Sequence, residues 1–121
     1  MLNLNWQKCG KDKDGHWCSL ERLNLEGVTE SGVYIIWHEG NPSRVVYVGQ
    51  GNPISTRLSA HRNNKDILNY GQKGTLRVTW ASVAAADRDA VERFLAEALN
   101  PLVGSAYPDT EAIRVNLPWK S

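Results

Sequence analysis

The run from Gly32 to His61, GVYIIWHEGNPSRVVYVGQGNPISTRLSAH, decides the fold. Two short apolar runs, Gly32 to Trp37 and Val45 to Val48, flank the segment Glu39-Gly40-Asn41-Pro42-Ser43. β-prone runs of that length, bounded by turn residues, read as a hairpin. Each strand carries one tyrosine, Tyr34 and Tyr47, and their numbers sum to 81, odd as pairing across an even loop requires. A loop of Glu39 to Pro42 then sets the two phenols opposite each other on one face. After Gly49-Gln50-Gly51 the pattern becomes helical from Ser55 to Asn64, with Ile54 and Leu58 on its apolar side. Arg57 and His61 are four residues apart and project from the same side of that helix. Two tyrosines, an arginine and a histidine are therefore expected on one patch.

Downstream, Lys65 to Gly74 reads as a loop with a helical turn through Ile67-Leu68 that ends at Tyr70-Gly71. Thr75 to Val83, TLRVTWASV, alternates as a third strand, with Leu76, Val78 and Trp80 on one face and Arg77 and Thr79 on the other. Asp87 is placed to cap a helix that runs to about Leu99. Its stripe is Val91, Phe94, Leu95 and Ala98, with Glu92 on the border. Asn100-Pro101 ends it, and Ala112 to Leu117 reads as a last short strand. Upstream, residues 1–31 show no sustained period: Leu2, Leu4 and Trp6 alternate, Lys8 to Gly15 is polar, and Trp17 to Leu25 is mixed. They are expected as an extension packed on a domain spanning 32–121. The fold class is α/β of the α+β type, a small antiparallel three-stranded sheet flanked by helices.

A chain of 121 residues suits one domain with an ordinary hydrophobic core. Its 41% hydrophobic and 22% charged content is that of a globular protein, not a disordered one. No apolar run approaches the roughly 18 residues of a bilayer span, and the N-terminus lacks the apolar core of a secretory signal. A cytoplasmic location with no membrane partner is expected. Free thiols are accordingly the first expectation for Cys9 and Cys18, with a disulfide or metal ligation as alternatives. Zinc would need Cys9, His16, Cys18 and a fourth ligand such as His38, and the close C-x2-C pair of a zinc knuckle is missing.

The net charge of +1 argues against a strongly basic nucleic-acid sponge, but its placement is uneven. Residues 55–80 carry Arg57, Arg62, Lys65, Lys73 and Arg77 against Asp66 alone, whereas the segments on either side are net acidic. That block is where a phosphate-binding surface is expected.

These residues resemble the GIY-YIG nuclease family. Its first motif matches Gly32-Val33-Tyr34 and its second Tyr47-Val48-Gly49, with valine replacing isoleucine in both. The family's helical arginine matches Arg57, ten residues after Tyr47, and the histidine of a subset of members matches His61. Glu92 in ERFLAEALNP, nine residues before Pro101, resembles the metal-binding glutamate. The likeness covers about 90 residues, Gly32 to Pro118. It departs in two places: Gln50 stands where many members have lysine, and the asparagine expected soon after the proline is replaced by Asn116 only if an insertion from Gly104 to Ile113 is allowed.

The resemblance implies a small stand-alone endonuclease that hydrolyses phosphodiester bonds in DNA, with RNA as the alternative nucleic acid. Tyr34, Tyr47, Arg57, His61 and Glu92 form its catalytic set, supported by Gly49, Gln50 and Asn116. It also implies one divalent ion, Mg2+ or Mn2+, on Glu92, with Tyr47 accepting the proton of the attacking water. Hard divalent ions prefer oxygen ligands and keep several waters, so a single protein carboxylate is chemically sufficient. Arg57 presents a planar fork suited to a pentavalent phosphate. His61 is open to three roles: orienting Arg57, touching phosphate or moving a proton. Arg62, Lys65, Lys73 and Arg77 are the expected nucleic-acid contacts, and a protein partner or a homodimer the expected source of specificity. Two other readings are a non-catalytic nucleic-acid module on the same scaffold and an interaction domain using exposed tryptophans.

Overall fold

The computed structural model describes residues 1–10, 16–104 and 106–119. Four antiparallel strands form one sheet: β1 (Cys18–Ser19), β2 (Gly32–His38), β3 (Arg44–Gly51) and β4 (Leu76–Ser82), in the order β1-β4-β2-β3. The three expected strands are all present, and the fourth is the two-residue β1, which pairs Cys18 with Val78 and Ser19 with Arg77. So short a strand carries no period, which is why residues 16–25 show none. Among the described residues, no helix is long and apolar enough to cross a membrane.

β2 is central and every residue in it is buried, because both faces of the sheet are covered. Tyr34, Ile36, Val46, Val78 and Trp80 meet Ile54 and Leu58 of α1 (Ile54–His61) and Ile67 of α2 (Lys65–Leu68). On the other face, Val33, Ile35, Trp37 and Val48 meet Val91 and Leu95 of α3 (Arg88–Leu99). The expected helix to Asn64 is split. Asn64 accepts from the Asp66 N–H at 3.0 Å and so opens α2 as its cap. Asp87 precedes α3, but its side chain makes no capping bond, and Asn100 closes the helix in the left-handed region at φ 47°.

The hairpin register differs from the expectation. Tyr34 lies opposite Gly49, and Tyr47 opposite Ile36, because Val46 is an extra residue: Ile36 pairs with Tyr47 and Trp37 with Val45. This β-bulge puts Val46 and Tyr47 on the same face, whereas Val45 and Val48 pack on the other. The phenols are thus diagonal neighbours, still on one side of the sheet.

At the far edge, the N-terminal segment runs beside β4, with the Gln7 N–H donating to the Trp80 carbonyl at 2.9 Å. Cys9 and Cys18 are joined in a disulfide, with Cα atoms 5.0 Å apart, which corrects the expectation of free thiols and removes the zinc set. Much of the polar turn expected over 8–15 lies outside the described residues. Ala112 to Leu117 is not a strand; only an isolated parallel bridge links Leu2 and Val115. Nor do the tryptophans form an exposed surface. Trp37 and Trp80 are buried, Trp6, Trp17 and Trp119 are half-buried, and Trp37 takes Trp17 and Trp119 edge-on at 5.4 and 5.0 Å.

Candidate active site

Tyr34 and Tyr47 project from neighbouring strands toward the end of α1, their rings nearly parallel with centroids 6.1 Å apart. Gly49 makes room for this. A Cβ there would come within 2.6 Å of the Tyr34 Cζ and 2.9 Å of the Tyr47 ring. His61 closes the cluster, its ring 4.4 Å from Tyr47 and 5.5 Å from Tyr34.

Tyr34 is fully buried, and its oxygen is 2.6 Å from His61 Nε2. Burial raises the Tyr34 pKa far above its ordinary value; Arg57, as a hydrogen-bonding neighbour, works in the opposite direction. Burial, and then the charge of Arg57, lower His61 to about 4. Both groups are neutral at pH 7, so the phenol donates to a bare Nε2 and the imidazole proton sits on Nδ1. To the three roles open to His61 the geometry adds a contact that holds Tyr34. The folded chain resists protonating this histidine while the unfolded chain does not. The contribution of His61 to stability is therefore expected to be present above about pH 6.5 and lost as pH falls toward about 4. Comparing melting temperatures of the wild type and His61→Gln across pH 4–7 checks this; the variant should show a flatter decline on acidification.

Arg57 is exposed and extends over the cluster, donating from Nη2 to the Tyr47 oxygen at 3.4 Å. Its own pKa is raised, first by hydrogen bonding to Tyr34. Tyr47 is half-buried, so its ring is packed while one side stays open.

Glu92 sits within the buried face of α3, not on its border: it is 8% exposed, among Ala90, Val91, Leu95 and Ala96. The stripe is rotated from the expected one, leaving Ala98 exposed and Phe94 half-buried. Burial raises the Glu92 pKa; Gln50, as a hydrogen-bonding neighbour, lowers it, Asp89 raises it and Arg57 lowers it. Its charge is also felt by Tyr34. The carboxyl group is thus within the field of the cluster, although α3 packs on the opposite face from α1. β3 is the edge strand between them. Among the described residues, no ion pair neutralises Glu92. A buried carboxylate beside a second one, Asp89, with no paired cation, is a donor set that suits a hydrated divalent ion.

The supporting residues fare differently. Gln50 donates to Asp89 Oδ1 at 2.7 Å and so lies on the α3 side. Asn116 is not brought to the cluster by any hydrogen bond. Its Oδ1 accepts from the Leu4 N–H at 2.6 Å and its Nδ2 donates to the Leu4 carbonyl at 3.0 Å, clamping the N-terminal segment. Asn116→Ala is accordingly expected to cost about 1–3 kcal/mol of stability and to leave the cleavage rate of the folded protein unchanged. Thermal melts and single-turnover rates measured side by side decide this.

The basic block is also divided. Arg62 turns inward, with Nε donating to the Leu20 carbonyl at 2.8 Å and Nη2 to that of Leu23. Arg77 pairs with Glu39 at 2.7 Å and donates to the Trp17 carbonyl at 3.2 Å. Arg57, Lys65 and Lys73 remain exposed.

Two neighbours of the site were not singled out from the sequence. Asp89 precedes Glu92 by one helical turn, a spacing that could have flagged it. Tyr107 follows the helix in a segment without period. The Val103 N–H donates to the Val46 carbonyl at 2.8 Å, and this holds the segment along the β3 edge. The Tyr107 oxygen is buried without a partner among the described residues. Its pKa is raised by burial, then by Tyr47 and Glu92.

The model of one family, the GIY-YIG catalytic domain, matches residues 30–103. No curated protein and no solved structure matches the chain.

Proposed function

Because this chain belongs to the GIY-YIG catalytic domain family, whose members are nucleases, we propose that it is a divalent-metal-dependent endonuclease acting on DNA. The observation that carries the reading is the meeting of Tyr34, Tyr47, Arg57 and His61 in one hydrogen-bonded and stacked cluster, with the buried, unpaired Glu92 in its field.

Tyr47 is the phenol available to solvent, and it accepts a proton from the attacking water. Arg57, next to that oxygen, favours the phenolate form that takes up the proton and, having further donors, binds the phosphate oxygens as they gain charge. Tyr34 and His61, buried and neutral, hold the floor of the site and keep Tyr47 in place by stacking. Glu92, with Asp89 beside it, would hold a Mg2+ or Mn2+ ion. When bound, such an ion supplies Lewis-acid polarisation of the phosphate and a lower proton affinity for water. Arg57 is exposed and Tyr47 half-buried, which leaves this side of the cluster accessible to a polymeric substrate.

One observation favours a second reading, a non-catalytic nucleic-acid module. Gln50 is neutral and engaged by Asp89, so it adds no positive charge beside Tyr47. The test is a cleavage assay on plasmid, branched, single-stranded DNA and RNA with Mg2+, Mn2+ or EDTA. Metal-dependent cutting is expected. Cutting that persists in EDTA overturns the metal assignment, and binding without cutting establishes the second reading.

A further inference from the structure

A second polar site lies at the other end of the hairpin, away from the tyrosines. A cavity of about 390 Å3 is lined by His38, Gly40, Arg44, Tyr70, Lys73 and Leu102, among others. His38 is 2% exposed and its ring is stacked parallel to that of Tyr70, centroids 6.1 Å apart. Its Nδ1 accepts a hydrogen bond from the Gly40 N–H at 3.0 Å. An accepting Nδ1 carries no proton, so in the neutral ring the proton is on Nε2. That Nε2 is buried and has no partner among the described residues. It is therefore a donor without an acceptor, which is costly to bury.

The cavity is built to bring positive charge to that donor. Gly40 packs against the 73–74 backbone so closely that a Cβ on it would come within 2.6 Å of the Lys73 carbonyl oxygen. The hairpin tip and the α2–β4 connection are thereby locked together, with Lys73 on one wall and Arg44 on the other. Burial, Lys73 and Arg44, in that order, lower the pKa of His38, which agrees with a neutral imidazole next to two cations. A neutral N–H donor in a cavity that Arg44 and Lys73 also line calls for an anionic acceptor with several oxygens.

We propose that His38, Arg44 and Lys73 form a phosphate-binding subsite, filled by a backbone phosphate of the nucleic-acid strand whose scissile bond lies at Tyr47. The connecting surface supports this. A neighbouring cavity of about 390 Å3 shares Tyr70 and Leu102 with the first and extends to Asp66, Asn69 and Val103. Val103 packs against the core that includes Tyr47, and Leu102 and Val103 run along β3 from Val45 to Val46. Arg44 lies opposite His38 and Tyr47 opposite Ile36, two strand residues apart or about 7 Å, which is about two nucleotide rises of a duplex strand. One strand can therefore span both sites. The occupant as a nucleic-acid phosphate rests on the nuclease reading above; the phosphate chemistry of the subsite does not.

Two measurements on the full chain test the proposal. The first follows the His38 imidazole by NMR during titration with inorganic phosphate, in the wild type and in an Arg44→Ala/Lys73→Ala double variant. Both substitutions are at exposed positions, and a melting curve checks that the fold survives. The second measures oligonucleotide affinity and cleavage for both proteins over a range of salt. Expected results are a phosphate-dependent shift of the His38 signal in the wild type only, and about tenfold weaker oligonucleotide binding in the double variant. The slope of log affinity against log salt should be shallower by about 1.4–1.8, as for two lost contacts. An unmoved His38 signal together with an unchanged salt slope overturns the subsite even when cutting persists. A phosphate-dependent His38 shift in a protein that neither binds nor cuts nucleic acid sustains the subsite for free phosphate and overturns the nuclease reading instead.

Discussion

Glu92→Gln is expected to slow phosphodiester cleavage by about a thousandfold while leaving the melting temperature at pH 7 unchanged or raised. The loss of rate follows from removing the carboxylate proposed to hold the divalent ion, whose stabilisation of transition-state charge is worth several kcal/mol. A loss of about 4 kcal/mol corresponds to about three factors of ten. The stability effect follows from burial. Glu92 is 8% exposed and its pKa is raised, first by desolvation. A carboxyl group with a raised folded-state pKa favours the protonated fold, so its stabilisation is complete at acid pH and is lost as pH rises through the folded value. Once ionised, the group opposes folding, and an amide of the same shape does not. Cleavage rates at saturating Mg2+, together with melting curves at pH 4 and pH 7, test both halves. Unchanged cleavage removes Glu92 from the mechanism, and a large drop in melting temperature at pH 7 removes the argument from burial.

Tyr47→Phe is expected to lower the single-turnover rate by about 10² to 10⁴, the range for a positioned acid or base, with oligonucleotide affinity and stability little changed. The hydroxyl makes one long hydrogen bond, to Arg57 at 3.4 Å, and the ring keeps its packing when the oxygen is removed. Tyr34→Phe should behave in the reverse way. Its hydroxyl is buried against His61 Nε2, so deletion strands a buried acceptor and costs about 1–3 kcal/mol of stability. The pair thus separates a chemical role from a positioning one. Equal rate losses in the two variants, with equal stability, would remove that division.

Much of this site was legible from Gly32 to His61 alone, because a hairpin, a glycine and a helix with Arg57 and His61 one turn apart leave few ways to arrange four side chains. The strand period put both tyrosines on one face, but not their register. Val46 forms a bulge, and nothing in VVYV distinguishes a bulged valine from a paired one. Glu92 is singled out by resemblance, whereas its burial is not: an apolar stripe drawn through Val91, Phe94, Leu95 and Ala98 leaves it at the border, but the face of α3 that is buried is Ala90, Val91, Glu92, Leu95 and Ala96. Arg62 and Arg77 show the limit of counting charge along a chain. Their guanidinium groups are committed to the carbonyls of Leu20, Leu23 and Trp17, all of them in residues 1–31, where the sequence offers no period from which to place a partner. Tyr107 and Arg44 are not singled out for a related reason, since each lies near residues distant in the chain.

The extra valine in β3 lies outside the parity of the hairpin. Shortening the chain by one residue at Val46 would remove the bulge and leave Tyr47 opposite Ile36, still on the side of Arg57 and His61, because Val45 and Val48 already lie on the other face. Changes of length between Glu39 and Ser43 leave that parity alone when the strands themselves keep their register. A change of one residue is therefore absorbed at the hairpin tip and at Val46, whereas the same change between Tyr47 and Gly49 would carry one of them to the opposite face of the sheet.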